Sequence, residues 1–262
     1  MIFMVNKSHI LKNFIDTHLH TAPDIKPRIL NDIEAAKDAK NERMHAIVLK
    51  SHVESTVSRA KIAENISGFK VIGGICLNSS IGGLNPEAVE VTAELGGKIV
   101  WFPTLSTSKI NINFENTEKI LNLIAENDLV LATGHLKPVQ IFLLLDYANS
   151  AGIKRILINH PLTGVVGASI EEQKEMSRYA YLEHCFVACM EKHDNLDPEV
   201  IADAIKELSP KKCIMATDFG QAHNPLPVEG MKMFVNSMLD KGIKKLDINK
   251  MCVENPSKLF LE

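Results

Sequence analysis

The sequence predicts an α/β fold, a (β/α)8 TIM barrel formed by a single domain over residues 1–262. Three observations lead to this prediction. Short runs rich in Val, Ile and Leu alternate with helical patterns, which is typical of βα units around a parallel sheet. Eight such units recur at intervals of roughly 30 residues, as expected for this barrel. The chain length is also usual for one barrel domain.

The eight strands are predicted at 14–17, 46–49, 71–76, 98–102, 129–133, 155–159, 181–186 and 213–217. The eight helices are predicted at 32–44, 55–66, 86–95, 115–126, 138–151, 170–178, 198–208 and 228–241. The seventh strand has an alternative at 186–190, and this choice decides whether Glu183 faces a site. Asn85 and Asp197 precede prolines and are predicted to cap helices. The remaining boundary signals are glycines: Gly68, Gly96 and Gly152 are predicted to close helices, and Gly73, Gly74, Gly82 and Gly83 to form turns.

Composition indicates an ordinary globular protein with a small-molecule partner. Apolar residues make up 45% and charged residues 23% of the chain. The net charge of -3 provides no basic field for nucleic acid, and no apolar run is long enough to span a membrane. The first 14 residues lack the apolar stretch of a signal peptide. The five scattered cysteines indicate free thiols, so we expect a cytoplasmic protein. A homo-oligomer is compatible with the sequence, although no motif supports it.

Polar residues follow four of the predicted strands at the end where barrel active sites lie. His18 and His20 follow the first strand, His135 the fifth, His160 the sixth and Asp218 the eighth. Because His18 and His20 are two residues apart in an extended segment, both imidazoles project to the same side. Imidazoles and a carboxylate suit Zn²⁺ or a similar divalent metal. The alternative is that each residue only closes a loop through hydrogen bonds.

These five residues occur in the order of the metal signature of the amidohydrolase superfamily, which the sequence resembles. The ending Glu254-Asn255-Pro256-Ser257-Lys258-Leu259 is similar to an ending common in that superfamily. The runs HLHTAPD, starting at His18, and DFGQ, starting at Asp218, resemble an uncharacterised branch of it. The resemblance implies a metal-activated water that attacks an electrophilic centre. It also implies that His18, His20 and His135 are metal ligands, that His160 binds metal or polarises the substrate, and that Asp218 is both a ligand and a general base.

One departure from the superfamily leaves the number of metal ions open. Members with two ions carry a bridging lysine or glutamate after the fourth strand, where this chain has Trp101 and Phe102. Either the site holds one ion, or Lys50, His52 or Glu183 replaces the bridge. Lys50 and His52 follow the second strand and are candidate catalytic residues together with Asp218 and His160. Alternatively, Lys50 neutralises nearby carboxylates and His52 caps a helix. The expected metal is zinc, with manganese or iron as alternatives.

Hydrolysis of a small-molecule amide, lactone or ester is the leading functional hypothesis. The alternative within the superfamily is a decarboxylase or hydratase acting on an unsaturated carboxylic acid. A third hypothesis, from another class, is a barrel that binds a ligand or metal without catalysis. Arg28 and Lys109 could bind a substrate carboxylate, although both are more simply surface charges. Asp24 and His223 are further loop candidates, and Trp101 could form a pocket wall. Cys185, Cys189, His184 and His193 lack the spacing of a second zinc site.

Overall fold

The computed structural model of the protein describes residues 10–107 and 114–262. Its strands all pair in parallel. They are β1 (Ile15–Leu19), β2 (Ala46–Leu49), β3 (Lys70–Ile72), β4 (Gly74–Cys76), β5 (Ile99–Trp101), β6 (Val130–Ala132), β7 (Ile156–Asn159), β8 (Tyr181–Cys185) and β9 (Cys213–Ala216). Two strand series result, β1-β2-β3 and β4-β5-β6-β7-β8-β9. The TIM-barrel prediction is confirmed at the level of strand order and direction.

The third predicted strand is interrupted at Gly73, where the structure corrects two expectations. The prediction of one strand at 71–76 becomes β3 and β4, and Gly73 and Gly74 lie at this break instead of in a turn. A Cβ on Gly73 would lie 2.6 Å from the Cα of Val57, and one on Gly74 would lie 2.2 Å from the carbonyl oxygen of Ile99. Both glycines are therefore required by close backbone approach.

Hydrogen bonds join the chain after β9 to the end of β1. The Asp218 N–H donates to the carbonyl oxygen of His18 (2.9 Å), and the His20 N–H donates to that of Phe219 (2.8 Å). These bonds bring the last strand of one series to the first strand of the other. They also place the polar residues that follow the two strands side by side.

Eight helices lie near their predicted positions. They are α1 (Asp32–Asn41), α2 (Val57–Ser67), α3 (Pro86–Glu94), α4 (Phe114–Glu126), α5 (Pro138–Ser150), α6 (Ile170–Met176), α7 (Pro198–Leu208) and α8 (Pro227–Asp240). Asn85 and Asp197 accept capping hydrogen bonds from Ala88 and Glu199, as predicted. The predicted helix-closing glycines all have positive φ: Gly68, Gly96 and Gly152. Helix α1 ends before the predicted residue 44 because the chain turns at Arg43, which has φ 60°.

The C-terminal run closes the base of the barrel. It forms α9 (Lys245–Asn249), a π-helical turn (Lys250–Glu254) and α10 (Asn255–Phe260), none of which was predicted. Leu259 and Phe260 pack with Ile15, Ile99 and other residues of the barrel interior. Asn255 Nδ2 donates to the carbonyl oxygen of Cys213, at the start of β9 (2.7 Å). The ending that resembles the superfamily thus contributes to the core at the end of the barrel opposite the candidate site.

A second hydrophobic core lies between the strands and the surrounding helices.

The ambiguity at the seventh predicted strand is resolved because β8 covers Tyr181–Cys185, while Phe186–Cys189 forms a 3₁₀ turn. All five cysteines are free thiols. Among the residues described, no helix is both long and apolar enough to cross a membrane.

Candidate metal centre

Two imidazoles converge on one carboxylate oxygen beyond the ends of β1 and β9. His18 Nε2 lies 3.3 Å and His20 Nε2 lies 3.1 Å from Asp218 Oδ1. His18 is fully buried and His20 nearly so, whereas the side chain of Asp218 keeps 14% of its exposure. The three side chains therefore meet at the inner edge of the barrel mouth, with access from the Asp218 side.

The backbone is strained at two of the predicted site residues. Asp218 has φ 53° and His160 has φ 26°, both in the left-handed region that residues with a Cβ rarely adopt. Hydrogen bonds from Gln221 Nε2 to the Asp218 carbonyl (2.8 Å) and from the Thr163 N–H to the His160 carbonyl (3.0 Å) support these turns. Such strain is concentrated at functional sites, where the fold holds a side chain in a required direction.

Five histidine rings form a closed circuit around the mouth. The distances between ring centres are 5.4 Å for His18–His20, 4.7 Å for His20–His52 and 6.0 Å for His52–His135. His135 then lies 4.9 Å from His160, which lies 5.8 Å from His18. The structure thus brings together all four histidines of the predicted ligand set, and it adds His52 to them.

Lys50 lies inside this circuit. Its Nζ is 3.0 Å from His18 Nε2 and 5.7 Å from the centre of the Trp101 ring, and the residue is 2% exposed. Trp101 is fully buried within the barrel interior, so the same ring fills the core and lies below Lys50. Lys50 therefore places a cationic group next to the imidazole that faces Asp218.

Glu183 is held behind His18 by three donors. Its Oε1 accepts from the Thr17 hydroxyl (2.6 Å), and its Oε2 accepts from His18 Nδ1 (2.9 Å) and Asn159 Nδ2 (2.8 Å). Burial raises the pKa of Glu183, but the interaction with His18 and these hydrogen bonds lower it more, so the net pKa is below its usual value. Since an ionised carboxylate only accepts, the proton of this contact is on His18 Nδ1. The His18 Nε2 lone pair then faces Lys50 and Asp218.

Burial lowers the pKa of four histidines of the cluster. It lowers the pKa of His20 to about 4, against opposing effects of Asp218, and it lowers that of His160 to about 4. The pKa values of His52 and His135 are also lowered, first by burial and then by neighbouring histidines and Lys50. Burial raises the pKa of Asp218, but the surrounding imidazoles bring it well below its usual value. An ionised carboxylate therefore lies beside imidazoles whose lowered pKa values favour the neutral form, which is the form that binds a metal.

His52 is held from outside the circuit by the loop after β5. Its Nδ1 lies 2.7 Å from Thr104 Oγ1. Asn78 Nδ2 donates to the same hydroxyl (2.8 Å) and to the His52 carbonyl (2.9 Å), while Asn78 Oδ1 accepts from the Thr104 N–H (2.9 Å). These bonds fix the direction of the His52 ring and give it a contact other than helix capping.

The further candidates lie at the rim or outside the cluster. Arg28 pairs with Asp24 (2.6 Å), and His223 Nε2 lies 3.3 Å from His193 Nε2. Lys109 lies outside the described residues. His184 projects to the other face of β8 from Glu183, is 1% exposed and has no hydrogen-bond partner at either ring nitrogen.

Two groups of donor atoms in the described residues could hold a divalent cation, and one of the two groups is better suited to it. Ligand atoms of His18, His20 and Asp218 all lie within 4.8 Å of one another, and so do those of His18, Glu183 and Cys185. In the second group, the Glu183 oxygens already accept three hydrogen bonds, and burial holds the pKa of the Cys185 thiol well above its usual value. The first group offers an ionised oxygen and two imidazole nitrogens, which are donors that Zn²⁺ prefers. In the described part of the chain, no such group contains Cys189 or His193.

Several supporting residues of the site were not predicted from the sequence. Thr17 and Asn159 hold Glu183, Thr104 and Asn78 hold His52, and Thr163 holds His160. All are buried polar side chains; Thr17 lies within β1, and the others lie at or just after the C-terminal ends of strands. Polar residues in or near a predicted strand, where burial is expected, are the sequence signal that would have found them, since a buried polar group needs a hydrogen-bond partner.

The fold is similar to that of several hydrolases of known structure. A probable 2-pyrone-4,6-dicarboxylic acid hydrolase from Acinetobacter baumannii, solved with citric acid bound, has a TM-score of 0.67 at 15% identity, covering 95% of this chain and 99% of its own. A lactonase from Listeria monocytogenes has a TM-score of 0.65 at 15% identity, with 96% and 95% covered. An organophosphorus hydrolase from Deinococcus radiodurans has a TM-score of 0.61 at 12% identity, with 96% and 93% covered. These likenesses confirm the fold expected from the amidohydrolase resemblance.

The chain belongs to a family described as a family of unknown function, DUF6282. The family model matches residues 13–117 and 112–183, which together span more than half of the chain. The matched part includes His18, His20, Lys50, His135 and His160. No curated protein matches the chain.

Proposed function

We propose that the protein is a metal-dependent hydrolase that cleaves a small-molecule lactone, ester or amide with an activated water. One observation carries this proposal, the convergence of His18 Nε2 and His20 Nε2 on Asp218 Oδ1 within 3.3 Å at the mouth of the barrel. The activities for which the structurally similar proteins are named, those of two hydrolases and a lactonase, support hydrolysis as the reaction type. Lactones are therefore the first substrates to test.

In this proposal, His18, His20 and Asp218 hold the cation. A divalent metal there would supply Lewis acidity, which makes water more acidic and polarises a carbonyl oxygen. Asp218 Oδ1 faces both imidazoles, so we assign Oδ2 as the atom that accepts a proton from the attacking water. The lowered pKa of Asp218 means that this carboxylate is ionised at neutral pH, as both a metal ligand and a proton acceptor must be.

The remaining cluster residues act on the substrate or on the ligands. Lys50 places its ammonium group inside the histidine circuit, where it can stabilise negative charge that develops on a substrate oxygen. Glu183 orients His18 through the Nδ1 contact, so we propose that it supports a ligand, in place of the bridging role considered from the sequence. His135, His160 and His52 are then available for a second ion or for substrate. Zinc is the first candidate metal, with manganese and iron as alternatives, and the number of ions, one or two, stays a prediction.

The lyase alternative shares this site but lacks a specific supporting observation. A carboxylated substrate would favour a free cationic side chain at the mouth, and Arg28 is already engaged by two contacts with Asp24 (2.6 and 2.8 Å). We therefore propose hydrolysis as the reaction, in preference to decarboxylation or hydration.

The free thiols support a reducing compartment, and we propose that this compartment is the cytoplasm. A homo-oligomer stays a prediction.

The experiment compares metal content and activity in four proteins purified without chelators. They are wild type, Asp218→Asn, His18→Ala and the control His45→Ala, which changes an exposed histidine. We expect wild type and the control to carry one or two equivalents of metal and to hydrolyse at least one member of a lactone and ester panel. Both site variants should lose most of the metal and at least about 100-fold in kcat/KM.

The same experiment can overturn the proposal. Metal content that is unchanged in both site variants would remove His18 and Asp218 from the ligand set. Full metal loading of wild type without turnover of lactones, esters or amides, but with turnover of unsaturated carboxylic acids, would favour the lyase alternative. Loading without any turnover would favour a binding protein.

A further inference from the structure

Thr163 makes two contacts with His160 that together determine where the imidazole proton lies. Its hydroxyl oxygen is 2.8 Å from the His160 carbonyl oxygen and 3.0 Å from His160 Nδ1. Both residues are buried, with 5% and 2% of their surface exposed. Water therefore has little access to these atoms, and the protons must be shared among the protein groups themselves.

The hydroxyl has one proton to donate, and the carbonyl oxygen can only accept. If Thr163 donates to the carbonyl, its oxygen is free to accept a proton from Nδ1, and both contacts are hydrogen bonds. If Thr163 instead donates to Nδ1, two oxygen acceptors face each other at 2.8 Å without a proton between them. The first arrangement satisfies every group, whereas the second leaves a buried repulsive contact.

From this count we infer that Thr163 fixes His160 as the Nδ1–H tautomer, so that its Nε2 presents a lone pair. His160 then acts as a metal ligand or a proton acceptor, and not as a group that donates a proton to polarise the substrate. The sequence had left these two roles open. The tautomer does not depend on the proposed function, but its use in binding metal does.

His18 provides an independent parallel within the same circuit. Its Nδ1 donates to Glu183, which as a carboxylate only accepts, so His18 also directs an Nε2 lone pair away from its partner. His52 differs because, among the described residues, Thr104 Oγ1 contacts no carbonyl that takes its proton, and this oxygen also lies 3.3 Å from Cys76 Sγ. The number of protons available for these contacts therefore assigns a tautomer to His18 and to His160, and it leaves the tautomer of His52 open.

The test measures the histidine tautomers by nitrogen-15 NMR in metal-free protein at neutral pH. His160→Gln identifies the His160 resonances by their loss. In wild type we expect Nδ1 to give the protonated type of signal and Nε2 the unprotonated type, with a tautomer ratio above about 10:1. Thr163→Ser keeps both contacts and should keep this ratio. Thr163→Val removes the hydroxyl and should bring the ratio towards 1:1.

The wild-type spectrum alone decides the inference, even if Thr163→Val does not fold. A protonated Nε2 in wild type would overturn it, and so would an unchanged ratio in a folded Thr163→Val variant. Zn²⁺ added afterwards separates the two proposals. A shift of the His160 Nε2 signal supports its role as a ligand, whereas an Nδ1–H tautomer in a protein that binds no Zn²⁺ keeps the inference and removes the proposed function.

Discussion

At the scale of single residues, the site depends on which atoms are charged and which carry lone pairs. Asp218 and Glu183 both have lowered pKa values, yet they contact opposite edges of the His18 ring. Asp218 faces the mouth and is partly exposed, while Glu183 is fully buried behind the ring. The two carboxylates therefore have different roles, with one available to a cation and the other orienting a ligand.

Glu183→Gln tests this division of roles. The variant keeps the side-chain shape but removes the charge that binds His18 Nδ1–H, so His18 should be oriented less firmly. We expect Zn²⁺ affinity to fall by about 10- to 100-fold, measured by competition with a chromogenic chelator. The matched control is Asp32→Asn, because Asp32 is also a buried carboxylate but contacts Thr21 and Arg59 instead of the cluster.

Two results would contradict the orienting role of Glu183. Unchanged affinity would mean that the contact with His18 is unimportant for metal binding. A loss as large as that in His18→Ala would identify Glu183 as a direct ligand, as the bridging hypothesis expects.

The ligand candidates were predictable from the sequence, but their supporting contacts were not. His18, His20, His135, His160 and Asp218 follow strands whose C-terminal ends must meet in a barrel, so their convergence follows from strand assignment. The pairing of Glu183 with His18 joins residues that are 165 positions apart. No local pattern encodes such a contact, because it depends on side-chain rotamers and on strand register.

At the scale of elements, strand ends and breaks position the site. β8 has a period of two, so Glu183 faces the barrel interior while the next residue, His184, faces the helices. The break at Gly73 allows the start of α2 to approach the sheet, where Thr56 Oγ1 accepts from the Gly74 N–H (3.0 Å). Hydrophobic pattern predicted one strand here because the break changes neither burial nor polarity.

Gly73→Ala should destabilise the protein without changing the metal site. The added Cβ would meet backbone atoms of Val57 and Thr56 at 2.6 to 2.9 Å, which cannot be relieved by a side-chain rotation. We expect a loss of about 2 kcal/mol or more in the free energy of unfolding, measured with urea. In the control Gly164→Ala, the Cβ meets a side-chain atom of Asp194, which can move, so the loss should be smaller. Equal losses would contradict the close-approach explanation.

At the scale of the whole molecule, burial of histidines links stability to pH. His184 is the clearest case, since burial lowers its pKa to about 4 from 6.5 and neither ring nitrogen has a hydrogen-bond partner. As pH falls from 6.5 towards 4, the unfolded chain takes up a proton at this residue that the folded protein does not. Stability therefore falls as pH falls through this window, and above it His184 contributes no pH dependence.

His184→Met should stabilise the protein, and the gain should grow as pH falls below 6.5. Methionine removes two unpaired polar atoms from a region that Leu162, Ala188 and Ile201 line together with His160 and Thr163. The gain should increase on the order of 1 kcal/mol per pH unit between about pH 6.5 and 4, measured by urea unfolding at several pH values. His45→Met, at an exposed position, is the control. A gain independent of pH would show that His184 is protonated in the folded protein.

The most direct test of the central claim is anomalous diffraction from crystals of the Zn²⁺-loaded protein, recorded on both sides of the zinc absorption edge. We expect a zinc peak at about 2.0–2.2 Å from His18 Nε2, His20 Nε2 and an Asp218 carboxylate oxygen. A second peak near His135 and His160 would be compatible with two ions. Zinc bound only elsewhere, for example between His193 and His223 at the rim, with the three central side chains free of metal, would contradict the account.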